Sequence, residues 1–202
     1  MKLGIIDYGA GNLRSVANSF LSLGVKGHLV HSPEDMEGVT HLVLPGVGAF
    51  GDCSQKLVSQ GLDDVLKTWI AADRPFLGIC VGYQVLFEHG EETPDIPGLG
   101  IFKGSVVHFP EMGIKVPHMG WNNLEIKDAT NPIWDGIGES PYFYFVHSYY
   151  PRPEDESLIG ACCTYGEQFA AAICRGRLIA TQFHPEKSQK TGIHLLSNFL
   201  KF

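Results

Sequence analysis

The first eighty residues alternate between two kinds of signal, and that alternation restricts the fold more than any other feature of the chain. Residues 3–7 are a short apolar run closing on Asp7, followed by Tyr8-Gly9-Ala10-Gly11, a turn rich in the residue that tolerates positive φ. Asn12 stands where an N-cap belongs. Leu13, Val16, Phe20 and Leu23 then fall at i, i+3, i+7 and i+10, one face of a helix that Gly24 stops. The pattern predicts further strands at 28–30 and 41–44, a helix over 54–71 and a strand at 76–79. Strands that alternate with helices make βαβ units and hence a mainly parallel sheet. In open parallel sheets ligands gather beyond the carboxyl ends of the strands. Two strand ends, Pro45-Gly46-Val47-Gly48 and Gly78-Ile79-Cys80-Val81-Gly82, are therefore where chemistry is expected.

From about residue 99 the texture becomes β-rich, with extended segments predicted at 99–109, 115–123, 142–149, 169–174 and 178–183, and a last helix over 191–202. Turns such as Arg175-Gly176-Arg177 between apolar runs read as hairpins, so this half adds antiparallel strands to the same α/β fold. Residues 151–155 read as an exposed loop, and with no linker or repeat the chain is expected to be one domain, 1–202. A net charge of −7 with no Lys/Arg cluster above two residues gives no footprint for a phosphate backbone, so nucleic acid is not expected as a partner. No run approaches the roughly 20 apolar residues of a membrane span. The five cysteines, an odd count without CxxC, suit a reducing compartment, and a cytoplasmic setting with free thiols is expected.

Gly78-Ile79-Cys80-Val81-Gly82 follows a strand and precedes the helix-compatible Gln84-Val85-Leu86-Phe87, the pattern of a nucleophile elbow with Cys in place of Ser. A nucleophile on so tight a turn crowds its neighbours, and glycine two residues before and after removes the Cβ atoms that would clash. A helix starting there would favour thiolate over thiol and let Val81 N–H serve as an oxyanion donor. Alone, the motif more often describes an inert buried thiol with glycines that serve packing. Gln182-Phe183-His184-Pro185-Glu186-Lys187 supplies what a thiol needs. If the run is extended, residues i and i+2 share a side, so Glu186 would orient His184 and His184 would act as the base. Nine histidines without HExxH, CxxC or finger spacing give no metal site, and Gly9-Ala10-Gly11 is too short for a dinucleotide fingerprint. No metal and no cofactor is assigned.

The elbow, Leu44-Pro45-Gly46-Val47-Gly48 and His184-Pro185-Glu186 together resemble the class I glutamine amidotransferase family. Asp7 to Asn12, Lys115 to Asn122, Tyr144 to Tyr149 and Gln182 to Lys187 are similar, within that family, to the glutaminase subunits of imidazole glycerol phosphate synthases. The resemblance covers nearly the whole chain in order. It implies a three-layer, flavodoxin-like fold with a mainly parallel central sheet and added antiparallel strands. It also implies that Cys80 attacks the side-chain amide of glutamine, that His184 protonates the departing ammonia, and that Glu186 holds the imidazole. Gln84, Glu92 and the backbone at Ser148 and Tyr149 would hold glutamine. Val47 and Gly48 would join Val81 in the oxyanion hole after a peptide rearrangement coupled to the partner. The implied partner is a (β/α)8 cyclase, bound as a heterodimer, which receives the ammonia and forms imidazole glycerol phosphate and aminoimidazole carboxamide ribotide. Asn12, Trp121 and Lys187 match family positions near that interface, although from composition alone Trp121 is equally a core aromatic and Lys187 more often a solvated surface charge. Many members carry Leu and Met where this chain has Val81 and Tyr83, both beside the nucleophile in sequence. A glutaminase serving another synthase, one aminating a sugar nucleotide or a chorismate derivative, is the alternative, and Pro117 to Asn122 argues against it.

Overall fold

A computed structural model describes residues 1–9, 12–111 and 113–202; the turn expected at Ala10 and Gly11 lies outside the described residues. The first half runs β1 (Leu3–Ile6), α1 (Leu13–Ser22), β2 (Gly27–Val30), β3 (His41–Gly46), α2 (Phe50–Ser59), α3 (Leu62–Ala71), β4 (Phe76–Cys80), a single helical turn α4 (Val81–Gln84) and β5 (Phe87–Gly90). The second half runs β6 (Phe102–His108), β7 (His118–Asn123), β8 (Glu125–Ile126), β9 (Tyr142–His147), β10 (Tyr149–Pro153), β11 (Ile159–Tyr165), β12 (Glu167–Arg175), β13 (Leu178–Thr181) and α5 (Gln189–Phe199).

One eight-stranded sheet in the order β2-β1-β3-β4-β13-β12-β11-β8 carries the fold. From β2 to β13 neighbouring strands are parallel, and β12, β11 and β8 continue antiparallel, the mixed α/β sheet that the alternation implies. The chain leaves β1 towards β2 and β3 towards β4, in opposite directions along the sheet, so right-handed crossovers put α1 and the pair α2–α3 on opposite faces. Contacts agree. Phe20 of α1 meets Phe199 of α5 edge-on, with centroids 6.4 Å apart, a pairing that adds about 1 kcal/mol to its area burial. There are two smaller sheets, β10-β6-β5 and β7-β9, with β10 against β12 and β7 against β11 of the large one. Among the described residues no helix is long and apolar enough to cross a membrane.

Several elements depart from the sequence pattern. The helix expected over 54–71 is two helices, because Gly61 adopts φ +67 between them, a conformation that breaks a helix. α2 also starts four residues early, at Phe50, whose N–H donates to Glu92 Oε2 at 2.8 Å. That carboxylate caps the helix from 42 residues away, at the end where the dipole favours negative charge. Asn12 occupies the N-cap position of α1 but its side chain makes no capping bond. The segment 142–149 divides into β9 and β10, which belong to different sheets and bend apart at Ser148. Residues 151–153 belong to β10, not to an exposed loop: Pro151 and Pro153 are buried, and they are tolerated because β10 is the edge strand of its sheet.

Candidate active site

Strand order brings the distant sequence motifs together. β3, β4 and β13 are neighbours, so their carboxyl ends, at Gly46, Cys80 and Thr181, open on one spot; Gly46 pairs with Cys80 in register, and Thr181 with Ile79. Cys80 has φ +55 and ψ −111, a conformation that costs a non-glycine residue about 1–3 kcal/mol and survives only where packing enforces it. Close backbone approach enforces it here. A Cβ on Gly82 would lie 2.0 Å from the Leu44 carbonyl oxygen, one on Gly46 would lie 2.3 Å from Gly82 N, and one on Gly78 would lie 2.9 Å from Gly82 O. The two elbow glycines serve as the motif suggests, and Gly46 from the adjacent strand completes the contact. The helix expected after Cys80 is only the turn α4, and the chain is a strand again by Phe87. A full macrodipole is therefore absent, and what remains is local, the unpaired first-turn N–H of Val81.

Cys80 shares a cavity of about 310 Å³ with Val47, Gly48, Val81, Gln84, Glu92, Ser148, Tyr149 and His184, and with Pro117, Val146 and His147. All of the residues expected to catalyse, hold glutamine or form the oxyanion hole line it except Glu186, which stands behind His184. Nδ1 of His184 lies 2.8 Å from Glu186 Oε1, and both side chains are almost fully buried. The pairing does not arise from one straight strand, as the i, i+2 argument supposes. β13 ends at Thr181, His184 is extended at φ −104, and Pro185–Lys187 form a 3-10 turn that folds Glu186 back. Ser188 locks this turn: its hydroxyl donates to the His184 carbonyl at 2.6 Å and accepts the Tyr144 N–H at 3.0 Å. With Nδ1–H on the carboxylate, Nε2 is left buried without a conventional hydrogen-bond partner, beside the sulfur. Burial disfavours a charged imidazole, yet the Cys80 sulfur and the Glu186 carboxylate outweigh it and hold His184 up at about 10.

Gln84 donates its amide to the Tyr149 carbonyl at 2.9 Å and to Gln182 Oε1 at 3.1 Å, which leaves its own carbonyl oxygen uncommitted. Glu92 spends Oε2 on Phe50 N–H and has a second oxygen to offer. At Ser148 and Tyr149 the strand bends from one sheet to another, which exposes backbone to the cavity; both carbonyls are already engaged, by Phe109 N–H and by Gln84 and His147. Gly48, at φ +97, and Val47, 37% exposed, form the rim. Tyr83 turns away: it is fully buried, reaches the Ala170 carbonyl at 3.4 Å and packs edge-on to Phe87, so its proximity in sequence does not put it at the pocket. Of the three interface candidates, Trp121 is 45% exposed and meets Tyr144 edge-on at 6.2 Å, and Lys187 Nζ sits 5.9 Å from the same Tyr144 ring. Trp121 is thus a surface aromatic. Asn12 lies half-buried at the start of α1. Two features had no role assigned from sequence: Gln182, whose amide nitrogen lies 3.7 Å from Cys80 Sγ, and the pair His118–His147 beneath Tyr149. Gln182 was legible, since it stands two residues before His184 in an extended stretch and so shares its side. Among the described residues no three His, Cys, Asp or Glu side chains gather as metal ligands.

The family model of glutamine amidotransferase class-I matches residues 4–202. The chain is 45% identical over 202 residues to the imidazole glycerol phosphate synthase subunit HisH of Acinetobacter baylyi, covering 100% of this chain and 98% of that protein. It is 48% identical over 199 residues to the subunit of the same name from Dehalococcoides mccartyi, covering 98% and 96%. Among solved structures it resembles one described as a glutamine amidotransferase, with a TM-score of 0.78 at 21% identity over 100% of this chain and 98% of the other. PurLQS from Thermotoga maritima gives a TM-score of 0.78 at 15% identity, over 99% and 97%. At these identities the two structures speak to the fold alone.

Proposed function

The chain belongs to the class-I glutamine amidotransferase family, and from that premise we propose that Cys80, His184 and Glu186 are its catalytic triad, the single domain 1–202 acting as the glutaminase subunit of imidazole glycerol phosphate synthase in histidine biosynthesis. The observation that carries the triad is the buried His184–Glu186 pair at 2.8 Å, facing a strained cysteine across one cavity. Burial works against charge on this imidazole, but the Cys80 sulfur and the Glu186 carboxylate hold it up at about 10; a charged imidazole beside a sulfur is the arrangement that activates a cysteine nucleophile.

Glutamine enters with its α-ammonium on the free oxygen of Glu92 and its backbone against Gln84, Ser148 and Tyr149. The thiolate adds to the side-chain carbonyl carbon, and the oxygen takes up negative charge between Val81 N–H and the Val47–Gly48 backbone. As the tetrahedral intermediate collapses, the amide nitrogen takes the Nε2 proton of His184 and its bond to carbon breaks, so that neutral ammonia leaves and a γ-glutamyl thioester remains. His184, now neutral, removes a proton from water; the hydroxide attacks the thioester, glutamate leaves, and the thiolate–imidazolium pair is restored. Glu186 fixes the ring and offsets its charge throughout. Ammonia in bulk water at neutral pH becomes ammonium, which is no nucleophile, so the product is handed directly to a (β/α)8 cyclase bound as heterodimer. The surface around Trp121, Tyr144 and Lys187, which lies against the triad's own turn, and Asn12 at the start of α1 are the places where that partner docks. A cytoplasmic setting suits the five free thiols.

The names of the curated relatives favour this synthase over one that aminates a sugar nucleotide or a chorismate derivative. The test is Cys80→Ala in the reconstituted complex. Glutamine-driven synthesis is expected to vanish while ammonia-driven synthesis stays at the wild-type rate; a variant that still uses glutamine would overturn the triad.

A further inference from the structure

Gln182 is wholly buried at the carboxyl end of β13, its backbone N–H donating to the Ala171 carbonyl at 2.8 Å. Its side chain lies between two residues of the pocket. The direction of every hydrogen bond around it follows from one group that can only accept, the carbonyl of Tyr149. Gln84 lies 2.9 Å from that oxygen and so must present its NH₂; the second proton of the same NH₂ reaches Gln182 at 3.1 Å. Gln182 therefore turns its oxygen to Gln84. Its NH₂ is left facing Cys80 Sγ at 3.7 Å, a normal separation for a donor to sulfur. The far side of Tyr149 is equally fixed. His147 Nδ1 donates to the same carbonyl at 2.9 Å, and its Nε2 accepts from His118 Nδ1 at 3.0 Å. Nothing in this chain of bonds can reverse without leaving Tyr149 O facing a lone pair.

Resting on the triad reading, we propose that Gln182 is a further residue of the reacting centre: a neutral N–H donor to the Cys80 thiolate, oriented through Gln84 by the Tyr149 carbonyl. The sulfur then has two donors of different kinds. His184 surrenders its proton to the departing ammonia and must recover one from water, so for part of each cycle it gives the sulfur nothing. Gln182 cannot give its proton away. It is the constant donor when sulfur leaves the thioester and again takes the full negative charge, with no bond made or broken at Gln182 itself. Because Gln84 is both its orienting partner and a wall of the glutamine site, occupancy of that site and the setting of the sulfur share one side chain.

The experiment follows the pH dependence of Cys80 alkylation by iodoacetamide on the full chain, beside glutamine hydrolysis in the complex with the cyclase. Gln182→Glu keeps the shape and the oxygen that accepts from Gln84, but presents a carboxyl oxygen to the sulfur. As that buried carboxyl ionises, reactivity is expected to fall below wild type by about tenfold or more, and the deficit to widen from pH 6 to pH 9. Gln182→Met, of similar volume and without a donor, is expected to raise the midpoint of alkylation by about one pH unit and to lower kcat more than it raises KM. A Gln182→Glu profile that tracks wild type across the range would overturn the inference, since a residue that merely supports Gln84 would be spared by that change. Cys80→Ala separates the two claims. If it still hydrolyses glutamine, the triad falls and this inference with it; if it is inactive while Gln182→Glu behaves as wild type, only Gln182 loses its role.

Discussion

Replacing Glu186 by Gln removes one negative charge and almost no volume from the most enclosed part of the site. In the native protein His184 is held at about 10 against an ordinary 6.5, a difference of roughly 5 kcal/mol at about 1.4 kcal/mol per unit. Burial works against it, and the Cys80 sulfur and the Glu186 carboxylate supply it. Withdrawing one opposite charge at hydrogen-bond distance lowers such a group by about 1–3 units. The imidazolium of Glu186→Gln is then destabilised by about 1.4–4 kcal/mol, and because the transition states for attack and for ammonia release both contain it, kcat for glutamine falls about 10- to 1,000-fold. The pH dependence has a definite sign. With His184 lowered, the imidazolium is lost within the working range, so the variant's residual activity should decline above about pH 7–8, where wild type remains level up to the higher native value of His184. The amide oxygen can still accept Nδ1–H, and the displaced oxygen, Oε2, has no partner to lose, so the chain is expected to remain folded. Steady-state glutamine hydrolysis in the complex from pH 6 to pH 9, beside ammonia-driven synthesis as an internal control, reads this out. A Glu186→Gln enzyme within twofold of wild type at every pH would refute the assignment, because a buried carboxylate 2.8 Å from the base cannot be electrostatically silent.

Gly82→Ala should abolish soluble expression or cost on the order of 4 kcal/mol in urea unfolding, because its Cβ would meet the Leu44 carbonyl oxygen at 2.0 Å and neither backbone can yield without opening the β3–β4 pair. A folded, active Gly82→Ala protein would show that the elbow is not held by that approach. His118 and His147 are kept neutral by burial, at about 4 and about 3. The unfolded chain takes up those protons below pH 6.5 and the folded chain does not, so stability is expected to fall by several kcal/mol as pH drops from 6.5 towards 4. His118→Asn retains a donor towards His147 and should roughly halve that slope; unfolding free energies at pH 7, 5.5 and 4.5 decide it, and an unchanged slope would mean the acid sensitivity lies elsewhere.

What could be read from the sequence is what periodicity and local chemistry encode. The βαβ half was legible because apolar spacing and glycine punctuation are local, and the Cys80 elbow and the His184 segment because each places several informative residues within a few positions. What was hidden depended on partners far along the chain. The early start of α2 depends on Glu92, and the division of α2 from α3 on a left-handed glycine whose effect only the backbone reveals. The course of β10 through two prolines could be recognised only once it was known to lie at a sheet edge. In the site itself the same distinction holds. Residue types alone proposed Cys80, His184 and Glu186, but the reason they converge is the adjacency of β3, β4 and β13, a consequence of right-handed crossovers and of a hairpin that returns β13 into the parallel part of the sheet. Hydrogen-bond direction is more remote still. Gln182 and Gln84 each offer a donor and an acceptor, and no motif says which end faces the sulfur; a single carbonyl at Tyr149, brought in by the bend between β9 and β10, makes that choice for both. The fold's contribution to chemistry is thus less the presentation of three side chains than the removal of their freedom: a φ of +55 that glycines make possible, an imidazole tautomer that a buried carboxylate selects, and an amide whose orientation one acceptor dictates.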